Sequence, residues 1–251
     1  MPMSSKLWAR AQRKMKREAK RMSKSSLTTY TSITSHKTKG RGGKKIDKIF
    51  LHHMAGNLTV QQCGNVFKSA QASAHYGVNG KKIGHYVDEA DTAWHCGNFS
   101  YNQRSIGIEL ANDRGASGSW HVSGTTIDTA IELIADICKR NGIKKLNYTG
   151  DLSGNLCMHC WICSTACPGP YLKTKFKYIA QQVNKILDGT SVPFLVRVSI
   201  SDLYIRKGAG TSYKTNGFIK PGVYTITKTK GSWGKLKSGK GWICLKYATI
   251  L

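Results

Sequence analysis

Apolar positions recur in this chain with two periods. Over residues 125–141, Ile127, Ala130, Ile131, Ile134 and Cys138 return at helical spacing and form one face, with Gly142 where a C-cap belongs. Residues 59–70 read as a second helix, with Thr59 as its cap and Val60, Cys63 and Phe67 on one side. A last helix is expected over 173–187, ending near Asp188-Gly189. Residues 46–51 read as a buried strand, with an apolar run from Ile49 to Leu51, and 105–110 (SIGIEL) have the character of a central strand. Residues 74–78 and 82–87 read as paired strands around a turn at Asn79-Gly80. Strands interspersed with helices predict an α/β domain between about residues 46 and 189.

Both flanks differ from this segment. Residues 6–24 are rich in good helix formers, and Trp8, Ala11, Met15, Ala19 and Met22 give a narrow apolar stripe on a cationic helix. Such a helix suits an anionic lipid surface, and a solvated basic tail is the alternative. Residues 25–43, full of Ser, Thr, Lys and Gly, read as a linker, so 1–45 form a basic extension. Residues 190–193 read as a hinge into a small all-β domain over 190–251, where short runs such as GVYTITKT and GWICL alternate with Gly-rich turns. Its aromatic residues Tyr204, Tyr213, Phe218, Tyr224, Trp233, Trp242 and Tyr247 divide between a core and an exposed stacking face in a way the pattern does not settle.

Composition sharpens this picture through charge. The chain has 251 residues, 40% of them apolar, which suits one or two domains with a real core. No apolar run is long enough to span a membrane, and the N-terminus has no apolar segment of secretory-signal type. The formal charge is +26, and it sits on the flanks. Residues 1–45 carry fourteen Lys/Arg against one acid, 46–190 fourteen against eleven, and 191–251 eleven against one. The flanks are therefore the parts suited to an anionic partner.

Candidate chemistry concentrates in residues 157–172, CMHCWICSTACPGPYL, which hold four of the eight cysteines. Cys157, Cys160, Cys163 and Cys167 followed by Pro168 match a bacterial ferredoxin run, but the second run that would complete an iron–sulfur site is missing. A catalytic zinc site is the competing reading. It would use His159 and Cys167 with a third ligand from His52, at the end of the apolar run in KIFLHHMAG. The plainer alternative is that the cysteines fill a core. Glu109, a carboxylate within SIGIEL, is costly to bury without a partner; it is a functional candidate unless it reaches solvent at the strand end.

Residues 46–188 resemble the zinc-dependent N-acetylmuramoyl-L-alanine amidases of the type-2 group, which are related to peptidoglycan recognition proteins and common in phage endolysins. The resemblance rests on FLHHMAG, SAHYGVNG, TAWHCGN, NQRSIGIEL and MHCWICSTACPGPYL, in the family's order. It implies a mixed central sheet flanked by helices. It also implies a Zn2+ ion held by His52, His159 and Cys167, Glu109 as catalytic acid–base, and Thr165 at the position two before the ligand cysteine. His95 resembles a substrate-cleft histidine, whereas His53, His75 and His85 are expected to be structural or supporting. Ala74 stands where some relatives carry a tyrosine, which shifts weight to Glu109. Cys160 and Cys163 fall at positions the family fills variably. Residues 195–251 resemble a bacterial Src-homology-3-like domain of the kind that commonly binds cell walls.

The reaction this implies is hydrolysis of the amide between N-acetylmuramic acid and the L-alanine of peptidoglycan. Anionic wall polymers or membrane lipid would be partners of the basic flanks, and the protein would act as a monomer. The endolysin resemblance further implies synthesis in a bacterial host cytoplasm and release to the wall through a holin-like pore. Two rivals are a non-catalytic wall-binding protein of the same fold and, on charge alone, a nucleic-acid binder. Cys167 and Glu109 speak against the first, and the lack of a base-stacking module or a basic recognition helix speaks against the second as a specific function.

Overall fold

The computed structural model describes residues 23–188, 192–230 and 232–251. The basic helix expected over 6–24 therefore lies almost wholly outside the described residues, as does the first half of the hinge expected at 190–193. The chain divides into two compact units, Met1–Asn184 and Lys185–Leu251.

The first unit is built on a mixed sheet. Its strands are β1 (Tyr30–Thr31), β3 (Lys48–His53), β4 (Tyr76–Asn79), β5 (Lys82–His85), β7 (Ser105–Leu110) and β8 (Leu156–Met158). Among the described residues they lie in the order β1-β5-β4-β7-β3-β8, while β2 (Lys37–Thr38) and β6 (Thr92–Ala93) form a separate short ribbon. β3 runs parallel to both β7 and β8, with His52 opposite Glu109 and Phe50 opposite both Gly107 and Cys157. Alternation then puts Phe50, His52, Gly107, Glu109 and Cys157 on one face. Ile49, Leu51, Ile106, Ile108 and Leu110, all fully buried, point to the other.

The helices expected over 59–70 and 125–141 form within about a residue of those bounds. Helix α1 (Val60–Ser69) opens with a reciprocal capping box between Thr59 and Gln62. The short α2 (Phe99–Gln103) is capped by Asn98. Helix α3 (Gly124–Asn141) is capped by Ser123 and closed by Gly142 in the left-handed conformation, and it packs on β4 and β7. The helix expected over 173–187 is broken in two, α4 (Pro170–Lys173) and α5 (Phe176–Leu187). At the end of α3, Arg140 makes a two-pronged contact with buried Glu89, whose carboxylate also accepts from the Tyr76 hydroxyl.

Residues 25–43 are not a linker. Tyr30–Thr31 pairs with β5, Lys37–Thr38 pairs with β6, and the Ser25 amide donates to the Tyr76 hydroxyl at 2.8 Å. Arg41 is buried, and its guanidinium donates to the carbonyl oxygens of Glu89, Asn102, Gln103 and Ser105. Burial lowers its pKa to about 10, so it is still charged at neutral pH. Arg41→Ala would leave several buried acceptors without donors, each costing about 1–3 kcal/mol. We expect a loss of roughly 3 kcal/mol or more in a denaturant titration, and Arg41→Lys, lacking the planar fork, should not restore it.

The second unit is all-β, with its described strands in one sheet running from Phe194–Val198 to Thr249–Ile250. Its core is aliphatic, made by Val196, Val198, Leu203, Ile205, Ile219, Ile226, Leu236 and Ile243. Tyr204, Tyr213, Phe218 and Tyr247 are exposed, with Tyr204 stacked on Phe218 at 4.4 Å, while Tyr224, Trp233 and Trp242 are partly buried. The aromatic set thus belongs mainly to the surface.

Candidate metal centre

Two adjacent parallel strands deliver the first two groups. His52 is the penultimate residue of β3, and β8 runs straight into a single helical turn, His159–Trp161, so both imidazoles emerge at the carboxyl ends of neighbouring strands. Their rings meet edge to face at 4.8 Å. The chain then turns back on itself through bonds from the Cys160 amide to the Cys167 carbonyl, at 3.1 Å, and from the Cys167 amide to Thr165 Oγ1, at 3.2 Å. That turn puts Cys167 Sγ 3.5 Å from His52 Nδ1. Among the described residues, His52, His159 and Cys167 form the one set of three whose ligand atoms converge, all within 4.8 Å of one another.

The donor set fits a borderline-soft dication. Tetrahedral zinc, with bonds of about 2.0–2.1 Å to nitrogen and about 2.3 Å to sulfur, separates the two donors by about 3.5 Å, which is the spacing of His52 Nδ1 and Cys167 Sγ. Burial, reinforced by the neighbouring histidines, holds His52 well below the ordinary imidazole range, and burial also lowers His159 against the opposing Cys96 backbone. Both rings are thus neutral, as ligands must be. Burial and, next, Glu109 push the Cys167 thiol up, although the His53 backbone N–H stabilises its sulfur. Two neutral imidazoles beside two acids that resist ionisation make a pocket short of one cation.

Glu109 stands opposite His52 on the neighbouring strand. Burial alone raises its pKa to about 8, and among the described residues no hydrogen bond satisfies the carboxyl. It belongs to the same enclosed region as Cys167, Cys63 and Tyr86, whose ionisation it opposes. Thr165 accepts the Cys167 amide at Oγ1, which leaves its O–H free to donate. Its residue is only partly buried.

The remaining cysteines do not join the centre. Cys157 is fully buried with Phe50 and Cys96, and Cys163 Sγ donates to the Cys96 carbonyl at 3.1 Å. Cys157 shares the face of His52 but lies deeper, packed against Phe50 and Cys96, and among the described residues the four thiols do not converge as an iron–sulfur site would need.

His95 also departs from expectation. It is not a cleft residue but lies buried behind His52, with Nδ1 3.1 Å from His52 Nε2 and Nε2 2.9 Å from Ser105 Oγ. Both ring nitrogens are occupied within the protein, so none is left for a substrate. Its place depends on Gly107, where a Cβ would fall 2.5 Å from the His95 ring. His75, also buried, receives the Gly107 amide at 3.1 Å, and His53 packs edge to face on Trp120 at 5.3 Å. Sequence reasoning does not single out Ser105, Asn102 and Arg41, whose side chains act on the His95 ring, on its backbone and on nearby carbonyls through long-range contacts that leave no local pattern.

Comparison with known proteins decides the family. The family model described as N-acetylmuramoyl-L-alanine amidase matches residues 42–170, just over half of the chain. The chain belongs to this amidase family. Within the family, it is 31% identical over 107 residues to N-acetylmuramoyl-L-alanine amidase CwlL of Bacillus licheniformis, covering 38% of this chain and 29% of that relative. The chain therefore spans less than a third of that relative's length. Among solved structures, the hydrolase AmiA of Staphylococcus aureus, crystallised with its ligand, superposes with a TM-score of 0.51 at 18% identity over 66% of this chain and 87% of that one. A mutant endolysin from Bacillus subtilis gives 0.46 at 21% identity over 62% and 99%. The AmiA likeness supports the amidase fold of the first unit. The family match ends at residue 170 and does not extend to the second unit.

Proposed function

We propose that this amidase-family chain hydrolyses the amide joining the lactyl group of N-acetylmuramic acid to L-alanine in peptidoglycan, using zinc held by His52, His159 and Cys167. The observation that carries this reading is the convergence of those three side chains beside an unpartnered glutamate, within the segment the family model matches.

Zinc, when bound, supplies Lewis acidity toward water and toward an amide carbonyl. The chain's own residues do the rest. His52 and His159 bring neutral nitrogen and Cys167 brings one negative charge, so the centre keeps a net positive charge and its electrophilic strength. Glu109 takes a proton from the attacking water and returns it to the departing alanine nitrogen. A dication beside it favours the carboxylate and draws its pKa down from about 8 toward neutrality, the range a general base needs. The Thr165 hydroxyl donates to the developing oxyanion; being neutral, it contributes less than a cation there. The test is release of new N-terminal alanine from purified peptidoglycan, abolished by a chelator and restored by zinc. Release of reducing sugar ends in its place would refute the assignment.

The flanks complete the proposal. Residues 191–251 carry eleven Lys/Arg against one acid, and we assign this Src-homology-3-like unit, with the basic N-terminal extension, to holding the enzyme on anionic wall polymers or lipid. A phage endolysin acting on a bacterial wall is the setting these features suit. Attraction of this kind is screened within about 8 Å at physiological ionic strength. Lysis of whole walls should therefore fall as salt is added, while cleavage of a small soluble muropeptide stays nearly constant. Equal salt sensitivity in both assays would remove the anchoring role.

A further inference from the structure

The geometry points to a buried hydrogen-bond chain, His52–His95–Ser105–Tyr101, that fixes the tautomer of His52 and presents a bare Nδ1 lone pair to the metal centre before any ion arrives. This rests on the proposed role of His52 as a ligand, and it assigns His95 and Ser105 as positioning residues rather than groups that touch substrate.

The argument runs from the end of the chain that has no choice. The Tyr101 carbonyl can only accept, and Ser105 Oγ lies 2.6 Å from it. At that distance the serine hydrogen must lie between the two oxygens, since two acceptors would repel. Ser105 then has no proton to give His95 Nε2, 2.9 Å away, so His95 Nε2 must be the donor. A neutral imidazole carries one N–H. His95 is buried, and its two ring nitrogens meet only a hydroxyl and another imidazole, with no carboxylate to hold a second proton. His95 Nδ1 is consequently an acceptor, and the partner 3.1 Å away, His52 Nε2, must donate to it. His52 is buried as well, and with its one N–H given to His95 its Nδ1 has no hydrogen and faces Cys167 Sγ at 3.5 Å. One direction of donation satisfies every member, and reversing it sets two acceptors, Ser105 Oγ and the Tyr101 carbonyl, against each other at 2.6 Å.

The surroundings hold this chain rigid. His95 rests on Gly107 and packs against Phe50 at 5.5 Å. Asn102 Oδ1 accepts the backbone amides of His95 and Cys96 at 3.3 and 3.1 Å. Arg41 ties down the carbonyls of Asn102, Gln103 and Ser105 around it. Partners behind a ligand histidine orient the ring and raise its basicity, and their loss weakens metal affinity by about 10–100-fold. Here the partner is itself a histidine, and its own orientation is set by a serine and a carbonyl.

Two measurements test this. In the metal-free full chain, imidazole nitrogen chemical shifts should show His52 protonated at Nε2 and unprotonated at Nδ1, and His95 with the same tautomer. His52 protonated at Nδ1 would overturn the inference, with no appeal to metal. Zinc dissociation constants, from competition with a chelator, should rise about tenfold in Ser105→Ala at unchanged melting temperature, with a mixed His52 tautomer in the metal-free spectrum, and recover in Ser105→Thr. A folded Ser105→Ala that binds zinc as tightly as the wild type, with His52 unchanged, would equally overturn it. If the wild type binds no zinc, the metal reading fails, and the metal-free spectrum still decides the tautomer.

Discussion

Glu109→Gln is expected to cut turnover by about 10²–10⁴-fold while making the metal-free protein more stable. The two effects have one cause. A carboxyl that burial holds near pKa 8, with no hydrogen-bond partner among the described residues, costs folding free energy, and the proposed acid–base role is what that cost would serve. The sign follows from linkage. The folded-state pKa lies above the unfolded one, so below about pH 4.5 both states are protonated and nothing is lost. As pH rises toward 8 the unfolded chain ionises first, and native stability falls; above that the penalty is constant. The glutamine variant never ionises and escapes it. Its stability advantage over the wild type should be small near pH 4.5 and grow to a few kcal/mol by pH 8. Because the residue keeps some opening to solvent, the lower part of that range is expected. Chemical denaturation at pH 5 and pH 8, with chelator present, measures this directly. An advantage that shrinks with rising pH would show that Glu109 is ionised in the folded protein.

Cys167→Ser is expected to lose tight zinc binding and nearly all activity, whereas Cys160→Ser combined with Cys163→Ser should keep both. Only one of these sulfurs converges with His52 and His159. A serine hydroxyl at 167 would keep the backbone turn, since Thr165 bonds the residue's amide and not its side chain. It would remove the one anionic ligand, leaving two neutral imidazoles to hold a dication. The double variant removes a Cys163 thiol bonded to the Cys96 carbonyl and a partly exposed Cys160, neither of them a member of the convergent set. Zinc content per chain and alanine release, measured on all three proteins, separate the cases. Loss of metal from the double variant would mean that the ligand set is wrong.

Much of this centre was legible in the sequence because strand periodicity and motif order carry it. An apolar run ending in His52 and a carboxylate at the fifth position of SIGIEL become cross-strand neighbours once β3 and β7 pair in parallel. Capping at Thr59 and the left-handed Gly142 were equally readable, being local backbone chemistry. What escaped was long-range. Strands of two residues, such as Tyr30–Thr31 and Lys37–Thr38, are too short to show a period, so a Ser- and Lys-rich stretch that completes the fold read as a linker. Arg41 looked like one more basic residue in that stretch, yet its partners are carbonyls some fifty to sixty positions away. His95 read as a cleft residue because its motif gives the residue type and not the depth, and the depth depends on Gly107 having no side chain. The aromatic residues of the second unit could not be sorted because the sheet's register, and not their spacing, decides which side meets solvent.

The account stands on one coordination set, and X-ray absorption at the zinc edge of the loaded full-length wild type tests it most directly. It predicts a single zinc shell containing one sulfur at about 2.3 Å and two imidazole nitrogens at about 2.0–2.1 Å, with a light oxygen or nitrogen atom in the remaining position. Two or more sulfurs around the metal, or none, would contradict it.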